Sequence, residues 1–399
     1  MDTQGLLALG DKHLMKFAKR YPLALVRGDG VRVWDADGRE YLDFTGGIAV
    51  TALGHSHPRV VGTLREQAAT LLHVSNLFYI PSQIHLAKLL AEHSFADRVF
   101  FSNSGAEANE TAIKLARKWA KEHGASDRGD IITMRGGFHG RTLATVTATA
   151  QEKYHHGFEP LPAGFKYVPY NDLRAVERAI DSRTAAVMVE PIQGEGGIHI
   201  PDDGYLPGLR KLCDEAGILL VLDEIQTGMG RTGRLWAYEH SGVSPDVMTV
   251  AKALANGVPI GATLATEDVA SALTPGTHGS TFGGNPLATA VGLTTLQVVL
   301  EERLPERAAR LGKRLVERLR ALRERHPRHV GEVRGRGLLV GVDVVPPVGD
   351  VVAACRERGL LALTAGDNTL RLAPPLILDE DSAERAVEII DRSLAGIAA

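Results

Sequence analysis

Only two cysteines, Cys213 and Cys355, occur in 399 residues. So low a count argues against a disulfide scaffold and suits a reducing compartment. Neither sign of charge dominates: 45 Lys and Arg stand against 48 Asp and Glu, a net of −3. That balance gives no electrostatic reason to expect nucleic acid or an anionic membrane as a partner. No apolar run approaches the ~18 residues of a membrane span. Residues 1–22 lack the apolar core of a secretory signal. Internal repeats and low-complexity segments are missing too. His55 and His57, two apart in a Pro/Gly turn, have no further ligands nearby, so no metal site is expected. The expectation is a soluble, cytoplasmic protein.

What is present is ordinary for a globular enzyme: 44% hydrophobic and 23% charged residues. The chain is too long for one compact core, so roughly two or three lobes are expected. Residues 31–35 and 39–44 flank Asp37-Gly38, a hairpin signal. Helical apolar spacing predicts helices over 58–72 and 82–93. From about residue 99 the pattern changes to apolar strands alternating with helices. Strands are expected at 99–102, 131–134, 145–147, 166–168, 185–189, 219–222, 247–251 and 261–265. Helices are expected at 106–122, 173–180 and 206–216. Near-continuous apolar strands separated by helices indicate an α/β domain with both sheet faces covered. After Pro286 come a long apolar helix and an Arg/Glu-rich helix over 306–325, whose charges read as a solvated face. Strands at 338–342, 360–363 and 369–372 and a helix over 382–394, with Asp381 as its cap, complete a smaller α+β lobe. The division expected is an N-terminal segment over 1–55 packing with that lobe, a large domain over 56–285 and a small domain over 286–399.

The chemistry centres on residues 218–252. A buried strand ends in Asp223, and a second apolar run ends in Lys252. Ligands of open parallel sheets sit at strand carboxyl ends, so one anion and one cation can face the same crevice. An aldehyde cofactor with a basic ring nitrogen needs that pair: the lysine forms its Schiff base and the carboxylate keeps its nitrogen protonated. Asp223 also reads as a cap or ion-pair partner, and Lys252 as a surface lysine. Ser104, Gly105 and Ala106 join a strand to a helix, where a phosphate would sit well; helix capping by Ser104 explains the same residues. Phe138, between glycines, can lie flat on a heterocycle, and Arg141 can fork onto a carboxylate. The rival reading makes them a core phenylalanine and a surface arginine. His139 reads as a hydrogen-bonded structural histidine. Gly228-Met229-Gly230-Arg231-Thr232-Gly233 spells the dinucleotide fingerprint, but five residues separate it from the strand end and no long helix clearly follows. These glycines read as turn formers.

Together these stretches resemble the class III pyridoxal-phosphate aminotransferases of fold type I, and within them most closely the acetylornithine-transaminating group. The stretches LDFTGGIAVTALGHSHP, HVSNLF, NSGAEANETAIKLAR, GGFHGRTL, VPYND, VEPIQGEGG, LLVLDEIQTGMGRTG, AKALANGVPIGA, HGSTFGGNP and LRLAPPL carry the resemblance, in one order over about residues 21–375. It implies a large domain with a mostly parallel sheet flanked by helices, a smaller α+β domain, and pyridoxal 5'-phosphate as cofactor. Lys252 would hold the cofactor and shuttle protons, Asp223 would pair with its ring nitrogen and Gln226 with its ring hydroxyl. Gly105 and Ala106 would bind phosphate beside Ser104, and Phe138 would stack on the ring; Glu224 and Ile225 share the cofactor-binding loop. Thr281 would reach the phosphate of a neighbouring subunit's cofactor, with Ser280 beside the substrate, which implies a homodimer.

Arg141 matches the family's arginine for the donor carboxylate. Glu195 and Arg371 match a switch: Glu195 holds Arg371 for one substrate and releases it when glutamate or 2-oxoglutarate brings a second carboxylate. The expected activity is transamination from N-acetylornithine to 2-oxoglutarate in arginine biosynthesis. That choice rests partly on Ile48, since ornithine aminotransferases carry a tyrosine there to engage a free α-amine. Succinylornithine, succinyl-diaminopimelate, an acyl-lysine, 4-aminobutyrate and ornithine remain alternative donors. An aminomutase or decarboxylase on the same cofactor, which would not need both Arg141 and Arg371, and an NAD-dependent oxidoreductase are the rivals from other classes.

Overall fold

The computed structural model describes residues 2–397. Its centre is a seven-stranded sheet in the order Arg98–Ser102, Gly261–Ala265, Val247–Val250, Leu219–Asp223, Thr184–Val189, Asp130–Met134, Phe165–Val168. Only Gly261–Ala265 runs against its neighbours. The other adjacent strands pair in parallel.

The alternation within one strand explains why both faces are covered. Leu219 and Val221 join the helix residues Ala112, Ile113, Leu115 and Ala116 in one apolar cluster. Leu220 and Leu222 point the other way, into a cluster with Leu206, Leu209 and Cys213. A strand buried on both sides has no polar face to alternate with, hence its unbroken apolar run.

Two smaller sheets flank this one. The first orders Leu25–Asp29, Arg32–Asp35, Glu40–Asp43 and Leu360–Leu361. The Asp37-Gly38 turn forms as its residues predict: Gly38 takes φ +85°, and Asp35 Oδ1 accepts from the N–H groups of Asp37 and Arg39. The second orders Val330–Arg336, Leu339–Val344, Thr369–Leu372 and Leu363–Ala365. Among the described residues no helix is long and apolar enough to cross a membrane.

Three sequence expectations need correction, and the turns expected at 228–233 form. Residues 145–147 form no strand but lie in the helix Leu143–Ala148, because Thr142 and Thr145 close a reciprocal capping box that outweighs β-branched propensity. Residues 360–363 are not one strand. Leu360–Leu361 pairs in parallel with Leu42 and Asp43, and Leu363–Ala365 pairs antiparallel with Thr369–Leu372, so the chain changes sheets at Ala362. The last helix, Glu380–Ala395, is capped by Asp379, whose side chain accepts from Ser382 N; Asp381 sits in the first turn, where its charge suits the helix dipole. Gly228–Gly233 is a run of turns. Its Arg231 is buried and donates to Leu338 O and Pro374 O, tying the large sheet to the chain around the second small one.

Candidate active site

Parallel strands put their carboxyl ends on one edge, and there the chain delivers its functional groups. A cavity of about 440 Å³ opens at this edge, lined by residues from the loops after Ser102, Met134, Val189, Asp223 and Val250.

Asp223 and Lys252 share it because their strands are neighbours: Asp223 pairs with Thr249, three residues before the lysine. Asp223 is almost completely buried. Its Oδ2 accepts from Asn109 Nδ2 and His139 Nδ1, both at 2.8 Å, and its Oδ1 accepts from Ile225 N at 3.0 Å. Asn109 is itself held, accepting from Thr249 Oγ1 at 2.7 Å and donating to His139 O. Burial opposes protonation of His139, yet its bond to Asp223 and the charges of Asp223 and Glu190 override that and raise its pKa. His139 Nε2 is buried without a partner.

Lys252 opens a short 3-10 turn, Lys252–Ala255, with φ +41°. Left-handed backbone in a non-glycine residue is uncommon and clusters at functional sites. Burial lowers its pKa, and Arg371 adds to that effect; Glu195, Asp223 and Glu190 oppose it. A lowered pKa makes the free amine, the form that acts as nucleophile and proton acceptor, easier to reach.

Ser104 caps the helix Gly105–Glu122, accepting from Glu107 N, so its structural reading holds. Gly105 and Ala106 line the cavity, and first-turn N–H groups have no intrahelical acceptor, which leaves them available to an anion. A side chain on Gly261 would stand 2.3 Å from Ser104 O; only glycine lets that strand pass so close beneath the loop. Phe138 lines the cavity with its ring edge-on to Tyr154. The exposed Arg141 guanidinium lies 3.9 Å over Tyr154 and 5.4 Å from the Phe138 ring centroid.

Behind Lys252 the structure joins residues that are remote in sequence. Arg371, on the strand Thr369–Leu372, donates to Glu195 and, at 3.3 Å, to Gln226 Oε1. Gln226 Nε2 also donates to Glu195 Oε1. Burial pushes the Glu195 carboxyl up, but the Arg371 and Lys252 charges and these bonds hold it below its ordinary value. Arg371 Nε is buried without a partner.

Four expected site residues stand elsewhere. Glu224 points away from the cavity into the core, accepting from Thr227 Oγ1, Ala237 N and Tyr238 N; burial pushes its pKa up to about 7. Successive residues of a strand end face opposite sides, so it cannot share the orientation of Asp223. Ile48 is half exposed, and Val50 rather than Ile48 reaches the cavity wall within one chain. Ser280 and Thr281 line a second cavity of about 340 Å³. It shares Asn103 with the first, and Asn103 Nδ2 lies 3.3 Å from Ser280 Oγ.

Sequence reasoning missed Asn109 and Glu190, and His139 gained importance. Glu190 sits at a strand's carboxyl end, the same signal that singled out Asp223. Asn109 carried only a weak signal: an amide on the buried side of a helix lined with small and aliphatic residues.

A hydrogen-bonded anion, an amine of lowered basicity and a helix N-terminus around one cavity fit a planar aldehyde with a basic ring nitrogen and a phosphate. The aminotransferase class-III family profile matches residues 16–394. Acetylornithine aminotransferase of Caldanaerobacter subterraneus is 51% identical over 387 residues, covering 97% of this chain and 98% of the relative. The crystal structure of acetylornithine aminotransferase from Elizabethkingia anophelis superposes with a TM-score of 0.90 at 36% identity, covering all of both chains. Ornithine aminotransferase from Toxoplasma gondii gives a TM-score of 0.96 at 38% identity, covering 99% of this chain and 95% of that one. With a family match over nearly its whole length and a cavity suited to that family's cofactor, the chain belongs to the class-III aminotransferases, enzymes that use pyridoxal 5'-phosphate.

Proposed function

We propose that this enzyme is an N-acetylornithine:2-oxoglutarate 5-aminotransferase of arginine biosynthesis. Several relatives 46–52% identical over nearly the whole chain are acetylornithine aminotransferases. The observation that carries the reading is the Glu195–Arg371–Gln226 contact beside Lys252. A ping-pong transaminase must accept two unlike substrates at one site. A carboxylate that can cover or uncover a buried arginine provides for both.

Pyridoxal 5'-phosphate supplies an aldehyde that takes up the amino group and a ring that accepts the electron pair left on the substrate carbon. Lys252 would anchor it and, with its amine free, would take the proton from the substrate carbon and return it. Asp223 would keep the ring nitrogen protonated, since an adjacent anion favours the charged form. Gln226, Phe138, Gly105 and Ala106 would hold it, Gln226 by its side-chain amide, Phe138 by its ring and the two helix residues by their N–H groups. Arg141, at the outer end of the cavity, forks onto the donor's α-carboxylate. Glu195 keeps Arg371 neutralised for the acylated donor and releases it to 2-oxoglutarate.

The active assembly is a cytoplasmic homodimer, with Thr281 of each subunit serving the other's phosphate site and Ser280 beside the substrate. Exposed Leu77, Phe78 and Tyr79 support it, as does exposed Phe282, whose segment Asn76 joins to theirs by bonding Ser280 O and Gly283 O. Apolar side chains gathered on a surface mark an interface. The buried, unpaired cysteines suit a reducing cytoplasm. The domains divide at residues 55 and 285, with the N-terminal segment joined to the small domain through the pairing of Leu42 with Leu360.

A panel of amine donors against 2-oxoglutarate tests the reading. N-acetylornithine should give the highest kcat/KM. Turnover without any 2-oxoacid would replace transamination by another reaction on the same cofactor. Lys252→Ala should keep the native circular dichroism and lose transamination, and substantial residual activity would sink the mechanism.

A further inference from the structure

Two of the loops around the cavity carry groups assigned above to substrate carboxylates. One runs from Arg135 to Thr142 and presents Phe138, His139 and Arg141. The other follows the strand Thr184–Val189 and presents Glu195. They are packed back to back: a side chain on Gly196 would lie 2.6 Å from Gly136 O, and Gln193 Nε2 donates to Arg135 O at 2.9 Å. Between them stands Glu190, nearly fully buried and facing the cavity. Its Oε1 accepts from Phe138 N at 2.8 Å, and its Oε2 accepts from Gly194 N at 3.0 Å. Phe138 is three residues from Arg141, and Gly194 precedes Glu195.

We propose that Glu190 is a positioning residue that uses its two oxygens to hold these loops at a fixed separation, and so sets the distance between the Arg141 and the Glu195–Arg371 ends of the substrate site. The inference rests on the carboxylate roles assigned to those ends. The ionised carboxylate suits this task best, since each oxygen accepts from a backbone N–H. An amide turns one arm into a donor facing another donor, and a protonated acid leaves one arm a weaker, uncharged acceptor whose own O–H needs a partner; either way the hold on that loop is weakened. A buried polar group left unpaired is costly, so the loop moves.

Burial pushes the Glu190 carboxyl up to about 7, with the Asp223 charge adding and His139 and the two backbone bonds opposing. The titratable groups around it are His139, Asp223 and Lys252 on the cavity side and Tyr170, whose hydroxyl donates to Glu190 O, behind it. As pH falls through that value the clamp is lost, and substrate affinity falls with it.

The test compares native enzyme, Glu190→Gln, Glu190→Asp and Arg141→Ala, each with pyridoxal phosphate bound, over about pH 6 to 8. Glu190→Gln should raise KM for N-acetylornithine and for 2-oxoglutarate together, roughly ten- to a hundredfold, as loss of a hydrogen bond to a charged group would. Its kcat should stay within a few-fold, and the acid-side fall in affinity should vanish. Glu190→Asp keeps the charge but is too short to reach both N–H groups, so it should raise both KM values yet retain pH dependence. A large fall in kcat with KM unmoved would overturn the proposal, because Glu190 would then be handling a proton itself. If Arg141→Ala raises KM and Glu190→Gln does not, the positioning role alone fails. If Arg141→Ala leaves KM unchanged, the carboxylate assignment fails and takes the positioning role with it.

Discussion

The two ends of the active-site cavity are held by different kinds of structure. Asp223 and Lys252 issue from adjacent parallel strands, and the backbone ladder itself sets their separation. Their supports, Asn109, His139 and Thr249, are all buried. Glu195 and Arg371 are 176 residues apart and meet only through side chains, one from a loop and one from a strand of another sheet. A ladder cannot open without unfolding the sheet. A side-chain contact opens at the cost of a few hydrogen bonds. The fixed end therefore suits a cofactor that must not shift, and the breakable end suits alternating substrates.

The sharpest way to break this contrast is at the fixed end. Asp223→Asn keeps the volume and removes the charge that His139 bonds and that, in the proposed role, would hold the ring nitrogen protonated. Loss of one partner of a buried charged pair costs roughly 3–5 kcal/mol, so steady-state turnover should fall by about 10²- to 10⁴-fold if that cost falls on the transition state. A variant within threefold of native, a factor worth only about 0.6 kcal/mol, would mean that the fixed end is not needed for chemistry.

The breakable end should respond less, and selectively. Glu195→Gln can still accept from Arg371 but no longer neutralises it. The half-reaction with 2-oxoglutarate should be preserved while that with N-acetylornithine weakens. The ratio of their single-turnover rates should change about tenfold, or 1.4 kcal/mol. An equal fall in both half-reactions would place Glu195 with the fixed end and dissolve the comparison.

The same contrast explains what could be read from the chain alone. Strands buried on both faces announce themselves as apolar runs, so all seven strands of the central sheet lie where residue patterns put them. Asp223 and Lys252 were legible because each closes such a run. The contact between Glu195 and Arg371 was not, since no local pattern relates a loop to a strand so far along the chain; resemblance alone suggested it. Residues 145–147 misled because three successive strand-like residues, Thr145 to Thr147, sit behind a capping threonine. The core-facing side chain of Glu224 was not legible either, because resemblance names a loop, while the direction of each side chain is set by the strand it leaves.

Ile48 is the position where sequence and structure diverge most usefully, and its effect should be the smallest. It was singled out for its aliphatic side chain. The structure adds a backbone fact: Gly46, Gly47, Ile48 and Ala49 all have φ between +54° and +67°. A run of left-handed residues costs roughly 1–2 kcal/mol for each non-glycine member, and a β-branched residue there is a true outlier. The turn is pinned at its start. Asp43 accepts from Thr45 N, Thr45 Oγ1 and Gly46 N, and Gly46 passes so close to Ala373 that a Cβ would lie 2.7 Å from its carbonyl oxygen. Ala373 is two residues beyond Arg371, so the strained turn is braced on the strand that carries the switch arginine. Ile48→Gly relieves the strain but adds about 0.4–1 kcal/mol of unfolded-state entropy. The net expectation is a gain of roughly 0–1 kcal/mol in denaturant unfolding, at a half-exposed isoleucine whose removal would otherwise be neutral or harmful. Preference for acylated over free-amine donors should narrow by a few-fold, about the worth of one pocket contact. A loss of stability greater than about 1 kcal/mol would show that the Ile48 side chain is packed against a second subunit strongly enough to outweigh the strain. That result would move Ile48 from the recognition end of the cavity to the subunit interface.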